Sequence, residues 1–302
     1  MCMEFAKYHS LGNDYLVYDC NRNRRALTTE AIRAVCHRQY GFGADGILLG
    51  PFFSEEGIRL QIYNPDGGAA EKSGNGILIF AKYLKDAGYI QKKEFELLIE
   101  KKQGADGDAA TAAVQIRYNN ELGTNMTVAM GQLLFTPEAV GCSYRPRENE
   151  NLQEYELVDV PLEFGDYTYR CTCVSIGNPH CVLPFKTVTK SIVCDVGEKI
   201  ENSAYFTKGI NTQIVQVTDR HNVQIEIYER GAGYTLASGS SACAAVGAMH
   251  KMRFVDSKVW VHMPGGKLLV GVDEDWNVDM TGTVSSVGTM RLSAEYMLEY
   301  GL

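Results

Sequence analysis

A chain of 302 residues is comfortable for two ordinary domains, and 45% hydrophobic with 22% charged residues is an ordinary globular composition. A formal charge of −8 at pH 7, with Lys and Arg scattered along the chain, excludes a nucleic-acid or anionic-membrane surface. No apolar run approaches the ~20 residues of a membrane span, "MCMEFAKYHS" has neither the basic start nor the apolar run of a secretion signal, and the nine cysteines are dispersed. Reduced thiols in a cytoplasmic protein are the expectation.

In chain order, the first informative stretch is "NPDGGAAEKSGNG" (64–76), a Gly-rich loop with Asn64, Asp66 and Asn75 spaced through it. The following "ILIFAKYLKDAG" reads as a helix, and a loop that opens onto a helix N-terminus suits an anion. Ser73 stands where chemistry is expected. Strand, turn and strand follow over 95–118, then "NMTVAMG" at 125–131. The polar "CSYRPRENENLQEYE" (142–156) is the most linker-like segment, which sets a domain boundary near 140. Cys171, Cys173, His180 and Cys181 lie close in sequence. Zinc pairs prefer two to four residues between their cysteines, and Cys171 and Cys173 have only one between them, so these read as strand residues, with no metal expected.

The second half repeats the first. Alternation in "VQIEIYE" and "VWVHM" predicts half-buried strands. "LASGSSACAAVGAMHKMR" (236–253) echoes the Ser-Gly loop and its helix, "KVWVHMPGGKLLVGVD" echoes the strand, turn and strand, and "NVDMTG" (277–282) echoes "NMTVAMG". Three elements in the same order indicate an internal duplication. The expected architecture is α/β (α+β), with two pseudo-symmetric domains, each a mixed sheet wrapped on a central helix. The expected bounds are 1–140 with a returning strand at about 289–302, and 141–288. Two Gly-rich helix N-termini facing one cleft would form a site for a carboxylate. Glu229 and Arg230, just before the second loop, suit an ammonium and a carboxylate. Taken alone they read rather as a surface ion pair beside a tight Gly-Ala-Gly turn.

The stretches "KYHSLGNDYLVYD", "GADGILL", "NPDGGAAEKSGNG", "SIGNPHCV", "GINTQIVQV", "ERGAGYTLASGSSACAA", "MPGGKLLV" and "MTG", spread from residue 7 to residue 282, resemble the diaminopimelate epimerase family. The resemblance implies a cofactor-independent, two-base epimerase that takes LL-diaminopimelate to the meso form. One cysteine thiolate removes the α-proton and a second thiol returns one from the opposite face. Thiols suit this work, since a helix N-terminus lowers their pKa. Here both positions hold serine, Ser73 and Ser238, whose hydroxyls are feeble bases.

The resemblance places the substrate α-carboxylate on the N–H groups of Gly74, Asn75, Gly239 and Ser240. It places the distal end on Asn64, Asn178, Asn211, Glu229 and Arg230, with Asn13 also at a pocket position. His180 and Glu229 match the residues that help the thiols shed protons, although a lone His is often a satisfied core residue. Tyr234 stands where many members have Glu, "NPDGG" replaces "NADGS", and "GNGILIF" lacks an Arg. Three readings follow. The first is a diaminopimelate epimerase made inactive by deliberate Cys→Ser exchange, the second a racemase for another polar amino acid such as histidine, and the third a natural non-catalytic amino-acid-binding protein. A small-molecule partner, no cofactor and a possible homodimer complete the expectations.

Overall fold

A computed structural model describes residues 3–70, 73–100, 111–145 and 155–302. The chain divides into two units, Met1–Val128 with Gly282–Leu302, and Ala129–Thr281.

The first unit contains β1 (Glu4–Ser10), β2 (Asn13–Tyr18), α1 (Thr29–Cys36), β3 (Ile47–Ser54), β4 (Gly57–Tyr63), α2 (Gly74–Asp86), β5 (Glu94–Glu100) and β6 (Thr111–Tyr118). The strand β7 (Asn125–Gln132) carries the chain into the second unit. β1 pairs antiparallel with β2, and β2 pairs parallel with β3 across the α1 crossover. β3 and β4 are antiparallel, β4 and β5 parallel across α2, and β5, β6 and β7 an antiparallel meander. The helix α2 is buried from Gly74 to Leu84, on every side, as a helix at the centre of a wrapped sheet must be. Ile77, Leu78, Ile79, Phe80 and Leu84 are fully enclosed, each contributing about 1.5–3 kcal/mol by leaving water. Gly88, with φ +81, ends the helix, its N–H on the Lys85 carbonyl.

The second unit runs through α3 (Pro137–Val140), β8 (Val160–Phe164), β9 (Tyr167–Ser175), β10 (Pro179–Pro184), α4 (Lys190–Glu201), β11 (Asn211–Asp219), β12 (Asn222–Glu229), β13 (Gly233–Thr235), α5 (Gly239–Lys251), β14 (Lys258–Met263), β15 (Gly266–Val272) and β16 (Asn277–Thr283). Its pairing repeats that of the first unit. β9 and β10 are antiparallel, β10 and β11 parallel across α4, β11 and β12 antiparallel, β12 and β14 parallel across α5, and β14, β15 and β16 antiparallel. The repeated pairing thus covers β1 to β7 in one unit and β9 to β16 in the other, with β13 as an addition to the second. The helix α5 is again central, and its small residues admit close packing: a Cβ on Gly247 would stand 2.4 Å from Leu133 Cδ1. After β16 the chain returns to the first unit as β17 (Ser285–Arg291), antiparallel to β1, and α6 (Ala294–Glu299).

Both units are therefore mixed sheets around one helix. Residues 142–145, which open the linker-like segment, are tied into the second unit. Cys142 is buried and the Ser143 N–H bonds the Tyr205 carbonyl at 2.9 Å. The rest of that segment, 146–154, lies outside the described residues, as do Glu71, Lys72 and 101–110. Cys171, Cys173 and Cys181 are enclosed in the core of the second unit, with Cys173 directly opposite Cys181 across β9 and β10. Among the described residues, no helix is long and apolar enough to cross a membrane.

Candidate active site

Ser73 is the N-cap of α2. Its backbone is extended (φ −126°, ψ 114°) and its Oγ accepts the Gly76 N–H at 3.0 Å, satisfying one of the N–H groups a helix leaves open at its start. A side chain at residue 76 would crowd that contact, since its Cβ would lie 3.2 Å from Ser73 Oγ. The Tyr15 hydroxyl donates to the same Ser73 oxygen at 3.1 Å. Gly74 and Asn75 form the first turn and are buried, with Asn75 at 2% exposure and its Oδ1 without a hydrogen-bond partner among the described residues. The remaining first-turn N–H groups and the helix dipole favour an anion here.

Asn13, at the start of β2, donates its side-chain N–H to Asp45 Oδ2 at 2.8 Å. Asp45 in turn accepts from Arg38 at 2.6 Å. Asn64 is exposed at the end of β4, where its backbone N–H bonds the Gly68 carbonyl and its carbonyl accepts the Gly67 N–H in a tight turn. Among the described residues, no hydrogen bond joins Asn13 or Asn64 to Ser73.

The second unit draws its expected residues closer together. Ser238 caps α5, accepting the Ser241 N–H at 3.4 Å. Its Oγ lies 3.4 Å from Ser240 Oγ, which also accepts from Asn178 at 3.4 Å. The Asn178 Oδ1 meets His180 Nε2 at 3.1 Å. His180 is fully enclosed on β10. Burial, opposed by Gln213 and aided by the Arg230 charge, pushes its imidazole down to about 3, so it is neutral at physiological pH. It connects to Ser238 through Asn178 and Ser240 rather than directly. A carboxamide does not relay protons readily, so the arrangement orients groups rather than conducting a proton.

Asn211 lies beside His180 in the parallel register of β10 and β11. Its amide donates to the Pro179 carbonyl at 2.9 Å and accepts the Arg230 backbone N–H at 3.0 Å. Glu229 closes β12 half-buried, and the turn after it is held by the Gly231 N–H on Glu201 at 2.7 Å. The Arg230 stem crosses Gly209, where a Cβ would stand 2.9 Å from Arg230 Cγ. Gly239 opens α5 and is buried. Tyr234 turns away from this set: its hydroxyl donates to the buried Glu226 at 2.9 Å, and the Lys190 ammonium lies 4.5 Å from the ring centre. Burial and the Glu226 carboxylate push that phenol up to about 12.

Sequence reasoning overlooked three members of these networks. Tyr15 and Asp45 lie inside quoted stretches, but nothing in their spacing ties them to Ser73 or Asn13. Gln213, which donates to Ser241 at 3.0 Å, sits in a strand with several other polar residues, and nothing in the pattern singles it out. The capping role of both serines was open to recognition, because Ser before a Gly-led helical run is an N-cap signal.

The sequence profile described as "Diaminopimelate epimerase" matches residues 5–128 and 172–287. The chain is 40% identical over 294 residues to "Diaminopimelate epimerase 2" of Nostoc sp., covering 97% of this chain and 96% of that one. It is 34% identical over 281 residues to the diaminopimelate epimerase of Burkholderia ambifaria, covering 90% and 91%. Among solved structures, a hydroxyproline epimerase from Agrobacterium vitis with bound trans-4-hydroxy-L-proline superposes with a TM-score of 0.63 at 13% identity, covering 96% of this chain and 91% of that one. That likeness is one of fold.

Proposed function

The chain belongs to the diaminopimelate epimerase family, and from that premise we propose that it is built to bind diaminopimelate and to interconvert its LL and meso forms by two-base proton transfer, without pyridoxal phosphate. With serine at positions 73 and 238 it binds the amino acid and does not turn it over. Drawing a proton from a weakly acidic C–H needs a strong, positioned base. A serine hydroxyl titrates far above neutrality, and neither serine has an activating base bonded to it among the described residues.

In this reading the α-carboxylate rests on the first-turn N–H groups of α2 and α5, at Gly74, Asn75, Gly239 and Ser240. Asn13, Asn64, Asn178, Asn211, Glu229 and Arg230 take the distal ammonium and carboxylate. His180, neutral and enclosed, holds Asn178 in place. The observation that carries the reading is the anchoring of Arg230. Its backbone is fixed by Asn211, its stem is seated over Gly209 and its guanidinium touches the Lys208 carbonyl at 3.5 Å, and a planar, two-pronged cation held there suits a second carboxylate. Histidine has no such group. The cytoplasm is the proposed compartment, supported by eight described cysteines that are all free thiols.

Calorimetry on the protein as it stands tests this. LL- or meso-diaminopimelate should bind and histidine should not. Arg230→Met should remove about 2–5 kcal/mol of that affinity, the usual effect of stripping one partner from a buried charged pair. Tight histidine binding with diaminopimelate ignored would overturn the substrate. Silence from all three ligands would overturn the whole reading.

A further inference from the structure

The two capping serines are held differently. Ser238 Oγ receives the Ser241 N–H and faces the Ser240 hydroxyl, both at 3.4 Å. Ser73 Oγ receives two closer donors, the Gly76 N–H at 3.0 Å and the Tyr15 phenol at 3.1 Å. An N-cap needs only the first of these. Tyr15 is a buried residue of β2 whose ring is wedged against Gly46, where a Cβ would stand 2.8 Å from Tyr15 Cε1. The phenol is therefore fixed in aim. Among the described residues, Tyr15 is the only titratable side chain hydrogen-bonded to Ser73.

We propose that Tyr15 is a positioning residue for the acid/base group at position 73, holding its heteroatom in place and stabilising its deprotonated form, so that a thiol there is more readily ionised than one at position 238. The acid/base role of the two positions rests on the family reading above. The physical argument is local. Two hydrogen-bond donors converging on one atom favour negative charge on it, because donors to the charged form are worth more than donors to the neutral one. When a thiol at position 73 ionises, its proton passes to solvent and the charge remains on sulfur, facing the phenol and the Gly76 N–H. The group at position 238 faces a hydroxyl and a more distant N–H, and stays protonated to higher pH. The pair is thereby unequal at rest, with one member placed to accept a proton and the other to give one.

The test needs no substrate. In Ser73→Cys protein, the rate of iodoacetamide alkylation of Cys at 73 is followed against pH by peptide mass spectrometry. The midpoint should lie below the ordinary thiol value of about 8.5. Adding Tyr15→Phe should raise it by about one pH unit, the size expected from one charge-assisted hydrogen bond. In Ser238→Cys protein the same Tyr15→Phe change should leave the midpoint where it was. An unmoved midpoint at position 73, or an equal shift at both positions, would overturn the proposal. Should Tyr15→Phe fail to fold, 3-fluorotyrosine at position 15 offers a stronger donor on nearly the same ring and should lower the midpoint. No change or a rise there would equally overturn it. Failure of this test leaves diaminopimelate binding untouched, and failure of that binding leaves this result standing.

Discussion

Asn13 gives its side-chain N–H to Asp45, 2.8 Å away, and a carboxylate can only accept. The amide of Asn13 is thereby oriented, with its oxygen left to face a donor such as an ammonium. Asp45→Ala should release the amide and weaken diaminopimelate binding about fivefold, the worth of roughly 1 kcal/mol for one well-placed hydrogen bond. Calorimetry on Asp45→Ala and on Asn13→Ala checks this. If Asp45→Ala binds like the parent, Asn13 does not depend on its carboxylate.

Hydrogen exchange at the substrate α-carbon should be absent from the protein as it stands. Proton NMR in deuterium oxide, with enzyme well below substrate, should show no loss of the α-signal above background. Ser73→Cys together with Ser238→Cys should restore exchange and epimerisation, while either change alone should not give full epimerisation. Exchange by the serine form would show that a hydroxyl or a third group acts as base.

The depressed His180 pKa makes a signed statement about stability. Its folded value of about 3 lies below the unfolded 6.5, so at pH 5 the unfolded chain binds a proton that the folded chain refuses. The contribution is complete above about 6.5 and is lost as pH falls toward 3, at a slope approaching 1.4 kcal/mol per pH unit, roughly. Urea unfolding of the parent and of His180→Gln at pH 7.5 and pH 5 separates this from other groups. The parent should lose more stability than the variant. Equal losses would place His180 in contact with water.

Gly209→Ala should harm binding and stability together. The residue sits at φ +70, where a side chain is strained by about 1–2 kcal/mol, and its Cβ would press on Arg230 Cγ. Unfolding free energy should fall by about that amount, and affinity for diaminopimelate should drop at least tenfold as the guanidinium is displaced. A variant with parent-like affinity would show that Arg230 does not need its seat over Gly209.

The sequence made the central helices easy to read, because an apolar run such as "ILIF" after a Gly-led turn has few other solutions. It also made visible the part of the repeat in which both copies keep a Ser-Gly loop, a helix and a meander. The other part stayed hidden. The crossovers β2–α1–β3 and β10–α4–β11 share pairing but almost no residue pattern, since pairing is set by backbone and burial rather than by particular side chains. Within the candidate site, the motifs point to residues such as Asn13, Ser73, Asn178 and Asn211 one at a time. They do not point to the side chains that hydrogen-bond to such residues or to their neighbours in the helix caps. Asp45, Tyr15 and Gln213 act through chain segments distant in sequence, and periodicity carries no information about such meetings.

The strand β17 lies beside β1, yet it is made only after every residue of the second unit has been joined to the chain. On a translating ribosome the contiguous second unit can acquire all its strands in one stretch. The first must wait with the outer edge of β1 unpaired, exposing hydrogen-bonding groups that would accept any passing strand. For this protein, then, the order in which the halves mature during synthesis should be the reverse of the order in which they begin.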